Sequence, residues 1–199
     1  MLSRIILLIF VLIVSVSQAL ATPLEEVRKT VDDVVRIVAD KELKKHDQKR
    51  RLALQKTIGT IFDYNEMAKR SLGKHWINLT QEERKQFSYL FAVLLENSYA
   101  GKIESYNNEK IVYVKEVVDG DHAEIRSKVV TAKRDEFTLD YRMANQNGKW
   151  MVYDVVVEGI SLVSNYRSQF SRVITASGYG GLIKKLEVKN NELKIISKI

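Results

Sequence analysis

Apolar residues recur along this chain with two different periods, and the change falls near residue 110. Upstream, Leu24, Val27, Val31, Val34, Val35 and Val38 return at three- and four-residue intervals. That spacing predicts an amphipathic helix running to about Leu43. A short helix follows from Asp63, a side chain able to cap free backbone N–H groups, to Leu72, with Gly73 just past its end. Thr80 and Glu83 form a T-x-x-E capping box that opens a third helix, ending near Gly101. Its stripe of Phe87, Leu90, Phe91, Leu94, Leu95 and Ser98, widened by Tyr89 and Val93, covers more circumference than one packed neighbour normally buries.

From Ile111 onward the period is two, the spacing of a strand with one buried face. Asp119-Gly120 reads as a two-residue hairpin loop. It sets Val114 against Ile125 and Lys115 against Glu124, and gathers Val112, Val114, Ile125 and Val129 on one face. A third strand shows Phe137, Leu139, Tyr141 and Met143. The last hairpin admits two registers. A two-residue loop at Asn147-Gly148 sets Leu139 against Val156. A three-residue loop sets Leu139 against Val155, Tyr141 against Tyr153 and Phe137 against Val157. The second aligns the apolar faces and is preferred, although it places Asp140 opposite Asp154.

The stretch Trp150 to Phe170 carries a strand that is apolar on both faces, a bend at Gly159 and Ser161 as the cap of a helix striped by Ile160, Val163, Phe170 and Ile174. A last helix follows Gly180-Gly181, and the tail from Lys189 is polar. The chain therefore reads as one α+β domain: a helical N-terminal half, a four-stranded curled antiparallel sheet and C-terminal helices. The apolar wall so built is either a solid core or the lining of a cavity.

The first residues stand apart. Arg4, the apolar run Ile5 to Val16 and Ala19-Leu20-Ala21 have the form of a secretory leader cleaved after Ala21, leaving residues 22–199 as the domain. The full chain carries +7, and losing Arg4 with the leader leaves +6; an exported basic chain without cysteine fits anionic lipid surfaces or acidic proteins better than nucleic acid, and uses no disulfide. Six Lys and Arg lie between Lys41 and Arg51. They form either a solvated helical face or a docking surface, with Lys44, Lys45, Lys49 and Arg50 as its cations.

Catalytic patterns are missing. His46, His75 and His122 share no ligand spacing, and neither a phosphate loop nor a G-x-S-x-G elbow occurs. Asp154 and Glu158 are four residues apart on one strand, so their Cα atoms lie ~13 Å apart, too far to share one site. Asp154 is read as pairing with Arg142, and Glu158 as capping the Gly159 turn or its helix. An acid or base role for Asp154 or Tyr153 in a pocket is the enzymatic alternative. Arg167 reads as a snorkelling side chain, or as a headgroup contact at a cavity mouth.

The runs FDYNEMAKRSLGKHW, LTQEERKQFSYLFAVLLENSYAGKIESY and WMVYDVVVEGISLVSNYRSQF, in that order, resemble the MlaC (toluene-tolerance) family of periplasmic phospholipid carriers. The resemblance runs from about Val27 to Leu186 and is most specific at Val157 to Phe170. It implies an NTF2-like outline, no catalysis, no cofactor beyond phospholipid held as cargo, and a pocket for acyl chains with the headgroup near solvent. The pathway implied is an ABC-transport route that maintains outer-membrane lipid asymmetry. The partners implied are an outer-membrane lipoprotein complex and the inner-membrane substrate-binding ring of an ABC transporter, met by a monomer in the periplasm. A related branch serves hopanoid pathways, so another lipid is the alternative cargo.

The expected lipid-binding wall is Leu90, Val93 and Leu94 from the third helix; Val112, Val114, Val129, Leu139, Tyr141, Tyr153, Val155 and Val157 from the sheet; and Val163, Tyr166 and Arg167 beyond it. Beside the carrier stand the pocket enzyme and an envelope structural protein that grips membranes through Lys41 to Arg51.

Overall fold

The computed structural model describes residues 21–106 and 108–196; the leader segment before Ala21 lies outside them. Helix α1 spans Pro23–Ala39. Thr22 caps it in a reciprocal capping box with Glu25, and Pro23 occupies the first turn, where its missing N–H costs nothing. It stops short of Leu43 because the Asp40 carboxylate accepts from the N–H groups of Glu42 and Leu43, at 2.8 and 2.9 Å, and opens a separate 3₁₀ turn, Leu43–Lys45. The basic run therefore spans that turn and the start of helix α2, Asp47–Ile58, rather than one continuous helical face.

Helix α3, Tyr64–Leu72, is capped by Asp63, which accepts from the Glu66 N–H at 2.9 Å. Gly73 ends it at φ +54°. The helix opened by the Thr80–Glu83 capping box, α4, spans Gln81–Glu104 and runs one turn past Gly101.

The strands are β1 Lys110–Asp119, β2 His122–Val130, β3 Glu136–Gln146, β4 Lys149–Val157 and the two-residue β5 Ile160–Ser161. They form one antiparallel sheet in sequence order. Two bulges decide which side chains face inward. The first hairpin closes one residue later than its turn signal indicates, on Gly120-Asp121, with Asp119 opposite His122. A bulge between Tyr113 and Lys115 then makes Val114 an extra residue. Beyond it Tyr113 meets Ser127 and Ile111 meets Val129, so Val112 and Val114 turn outward, 48% and 60% exposed. A one-residue slip exchanges the faces of a strand, which corrects the pairing of Val114 with Ile125 and the inward placement of both valines.

The last hairpin satisfies neither candidate register throughout. Its loop is the two-residue Asn147-Gly148, both in the left-handed conformation. A bulge at Tyr153 then shifts the pairing, so that Arg142 meets Asp154, Tyr141 meets Val155 and Leu139 meets Val157. Asp140 faces Val156, not Asp154, and accepts from the Ser127 N–H. The bulge brings Val152 together with Val155 and Val157 around one concavity. Bulges bend the strand that carries them and increase its twist, so the two supply the sheet's curl.

The outer edge of β4 is covered twice. Its first half joins residues 61–63, where the Val152 N–H donates to the Ile61 carbonyl and the Asp63 N–H to the Val152 carbonyl. Its end joins β5. Glu158 departs from its expected role: its backbone and carboxylate both bond Thr138 across the turn, closing the end of β3.

Helix α5, Leu162–Ile196, is capped by Ser161, whose hydroxyl accepts from the Ser164 N–H at 3.0 Å. It breaks at Gly178 (φ +69°, ψ 178°), not after Gly180-Gly181. Ile160 is exposed rather than part of the helix stripe. Helices α3, α4 and α5 enclose a solid core containing Met67, Leu94, Val163 and Leu182, with Phe170 set edge-on to Phe87 and Phe91. A second cluster joins Val27 of α1 and Ile61 to Ile125, Tyr141, Met143 and Val152 of the sheet.

Candidate binding cavity

Where those two clusters face one another lies a cavity of about 510 Å³, bounded by members of both. That volume is within the range of small-molecule sites, roughly 300–1,000 Å³. The sheet contributes Val129, Phe137, Leu139, Tyr141, Val152, Val155 and Val157. Helix α1 contributes Val27, Val31, Val34 and Val35, and α2 contributes Leu54 and Ile58. Leu95, Tyr99 and Ile103, one helical turn apart in succession, come from the C-terminal part of α4.

Five residues of the expected wall line it: Val129, Leu139, Tyr141, Val155 and Val157. Leu90, Val93, Leu94, Tyr153, Val163, Tyr166 and Arg167 do not, and neither do the outward-turned Val112 and Val114. The reason is position along α4. Its earlier turns are wrapped by α3 and α5, so Leu94 belongs to the solid core, with Leu90 packed against that core. Val163 is buried in the same core, and Tyr166 lies edge-on to Phe91 at 5.1 Å.

Tyr153, the bulged residue, lies under the Arg70 guanidinium at 3.9 Å from ring centre and does not line the cavity. Arg167 is structural. Its Nε donates to the Arg70 carbonyl at 2.7 Å, and its stem packs on Gly73, so it completes the end of α3. Asp154 is buried away from the cavity lining. It accepts from Arg142 at 3.3 Å, the Ser161 hydroxyl at 2.6 Å and the Val163 N–H at 3.0 Å. The pairing with Arg142 is as read, and neither Asp154 nor Tyr153 lines this cavity.

The expected wall lacks the α1 and α2 residues, the C-terminal part of α4 (Leu95, Tyr99, Ile103), and Phe137 and Val152 of the sheet. The α1 valines read equally well as packing between helices. The Leu95, Tyr99, Ile103 spacing was the one available signal.

Several polar groups on the wall are paired with one another. Gln55 donates to the Glu96 carboxylate at 3.1 Å, and the Tyr64 hydroxyl also bonds it. Burial holds the Glu96 carboxyl above its ordinary value, against the lowering effect of those two bonds. Burial first, and the Glu96 charge second, push the Tyr64 hydroxyl up. Tyr141 is raised chiefly by burial too, so its phenol stays protonated. Arg51 of α2 and Glu104 of α4 form a two-pronged ion pair, Nε to Oε1 3.2 Å and Nη2 to Oε2 3.4 Å.

Among the four cations expected to dock, Lys44, Lys45 and Lys49 are exposed. Arg50 is turned inward, its side chain only 13% exposed between Asp47 and Glu104, and offers no outward charge. Among the described residues no cluster could hold a metal ion, and no helix is long and apolar enough to cross a membrane.

Three comparisons place this architecture. A phospholipid-binding protein from Ralstonia solanacearum, solved in complex with a phospholipid, superposes with a TM-score of 0.79 at 28% identity, covering 87% of this chain and 99% of that one. The Haemophilus influenzae intermembrane phospholipid transport system binding protein MlaC is 30% identical over 121 residues, 58% of this chain and 56% of the relative. The toluene tolerance protein ttg2D of Pseudomonas putida is 27% identical over 128 residues, 63% and 60%. The matched stretches thus span less than two thirds of both curated relatives. Residues 28–188 match the MlaC protein family over most of the chain's length, and the chain belongs to that family.

Proposed function

We propose that this protein is a phospholipid carrier that holds acyl chains in the cavity between the curled sheet and helices α1, α2 and α4. The observation that carries the reading is the cavity itself, with about 510 Å³ of space walled mostly by aliphatic and aromatic side chains. Close packing normally removes such space, because an empty apolar cavity forfeits dispersion contacts along its whole lining. Aliphatic chains would restore them. Each buried methylene gains about 0.8 kcal/mol, so a dozen contribute on the order of 10 kcal/mol before ordering costs. Release into water is then slow, and delivery needs a partner or membrane that takes the lipid up.

The names of the similar proteins, which bind phospholipid or belong to an intermembrane transport system, support the same reading. We assign the cargo's travel to the periplasm, between an outer-membrane lipoprotein complex and the inner-membrane ring of an ABC transporter. Lys44, Lys45 and Lys49 serve as the exposed cations of the docking surface. A hopanoid would fit the apolar wall by the same physics, and direct identification of the bound molecule separates the two.

The test is native mass spectrometry of protein purified without detergent, with lipid extraction and identification. A phospholipid mass shift is expected, and Val155→Gln or Leu139→Gln should reduce its occupancy while the domain stays folded. Lipid-free wild-type protein would refute the carrier reading.

A further inference from the structure

Helices α1 and α2 form a hairpin that packs chiefly on itself. Both of its roots are fastened. At the start of α1 the Leu24 N–H donates to the Glu116 carboxylate at 3.0 Å, and Val27 is buried on the sheet. Past the end of α2, Ile61 and Asp63 are hydrogen-bonded to Val152 of β4. From these roots the hairpin projects about 25 Å, the length of a 17-residue helix, to its tip at residues 40–46. Along that length its inner face is cavity wall: Val31, Val34 and Val35 on α1, Leu54 and Ile58 on α2. Val31 also packs against the sheet cluster, and the cavity flanks the rest of that face.

Two polar rungs span from the hairpin to α4. Arg51 meets Glu104, and Gln55 meets Glu96. Residue numbers rise along α2 as they fall along α4, so the two helices run antiparallel on this side of the cavity. The Arg51–Glu104 rung lies towards the free tip, four residues beyond Asp47. Its side chains are only 25% and 16% exposed, so water and salt screen it less than a surface pair. Arg50 adds a second, longer contact to Glu104 at 4.0 Å.

We propose that the α1–α2 hairpin is the movable wall through which lipid is loaded and released, and that the Arg51–Glu104 pair sets the rate of that exchange. The pair is the polar fastening nearest the free end of a lever that is otherwise held by the Gln55–Glu96 rung and, along the root half of α1, by Val31 and by Arg28 over the Tyr113 ring. Swinging the tip outward breaks the two rungs and opens the inner face without disturbing the sheet or the solid core of α3, α4 and α5. The inference rests on the carrier reading and adds to it which side opens and which residues resist.

The experiment loads full-length mature protein with a phospholipid carrying a fluorescent acyl chain. It then follows transfer to unlabelled phosphatidylcholine vesicles. Arg51→Gln and Glu104→Gln should each speed transfer by about fivefold or more, and the double variant should be no faster than the faster single. A second arm uses the absence of cysteine from the chain. Arg51→Cys with Glu104→Cys, joined by a short bis-maleimide after loading, should keep its lipid and lose most of its transfer, while the uncoupled dithiol form transfers quickly. If wild-type protein holds no lipid, the carrier reading itself fails. If lipid is held but the cross-linked form transfers at the wild-type rate, the hairpin is not the gate. Gln variants that fold, hold lipid and transfer at the wild-type rate overturn the role of the ion pair. Should those variants fail to fold, the cross-linked arm still decides whether the hairpin must move.

Discussion

A buried carboxyl group outside the cavity wall and a half-buried one in it show how little the residue type alone reveals. Asp154 was legible as an ion-pair partner of Arg142, but its larger task is to bind Ser161 and the first turn of α5. Asp154→Ala leaves those donors unpaired, and should cost about 2–3 kcal/mol in a urea melt while the folded fraction still binds lipid. A loss of lipid at unchanged stability would contradict this placement. Glu96 was not legible at all, because nothing in the local pattern distinguishes it from the exposed glutamates of the same helix. Burial raises its carboxyl pKa above the ordinary 4.5. The folded chain therefore holds that proton more tightly than the unfolded chain does. The stability this adds is complete below the ordinary value, and is lost as pH rises through the raised one. Glu96→Gln is neutral throughout and close in shape, so its stability relative to wild type should climb across that window. Melts at stepped pH measure the difference, and a flat difference would mean that the carboxyl titrates as if exposed.

At the scale of elements, local chemistry was a good guide to helix ends and a poor one to strand faces. The caps at Asp63, Thr80 and Ser161 all form where their residue types indicate. Such bonds are made within one turn and need no distant partner. Gly73 is the same kind of signal with a tertiary addition, since its positive φ coincides with the stem of Arg167 packing on it. Gly73→Ala should cost about 1–3 kcal/mol through backbone strain, measured by thermal or denaturant unfolding. A neutral outcome would show that the turn relaxes into an ordinary conformation. The bulges at Val114 and Tyr153 had no such marker. Each is a mismatch between two strands, so it exists only once both are paired. Each moved valines or a tyrosine from one face to the other.

For the molecule as a whole, the question is which apolar surface is filled and which is left open. Leu94 and Leu139 are both aliphatic residues read as cavity wall, yet one lies in the α3–α4–α5 core and the other faces the cavity. Leu94→Gln should cost several kcal/mol, because its amide has no partner in a packed interior. Leu139→Gln should cost distinctly less, because its amide can turn into the cavity, and should instead reduce lipid occupancy. Paired denaturant melts and native mass spectra distinguish the two. Equal destabilisation would mean that the space beside Leu139 is closed in solution.

The α+β class, the order of α1, α3, α4, α5 and the four long strands, most helix ends and the family resemblance follow from the chain read linearly, whereas α2 as a separate helix and the short β5 do not. Those that follow depend on periodicity, capping or motif, properties of neighbours in sequence. The cavity was anticipated as a possibility from the wide stripe of α4 and the two-sided strand, but its position was not. Five of its sheet residues were identified, while its α1–α2 wall was not, because a valine stripe facing a cavity has the same period as one facing a helix. Which stripe packs against protein and which faces the cavity is settled only when α5 folds back across α4 and the two bulges curl the sheet. Those are relations between segments as much as a hundred residues apart, as in the bond from Asn190 to the Leu90 carbonyl. No local pattern in the sequence encodes them.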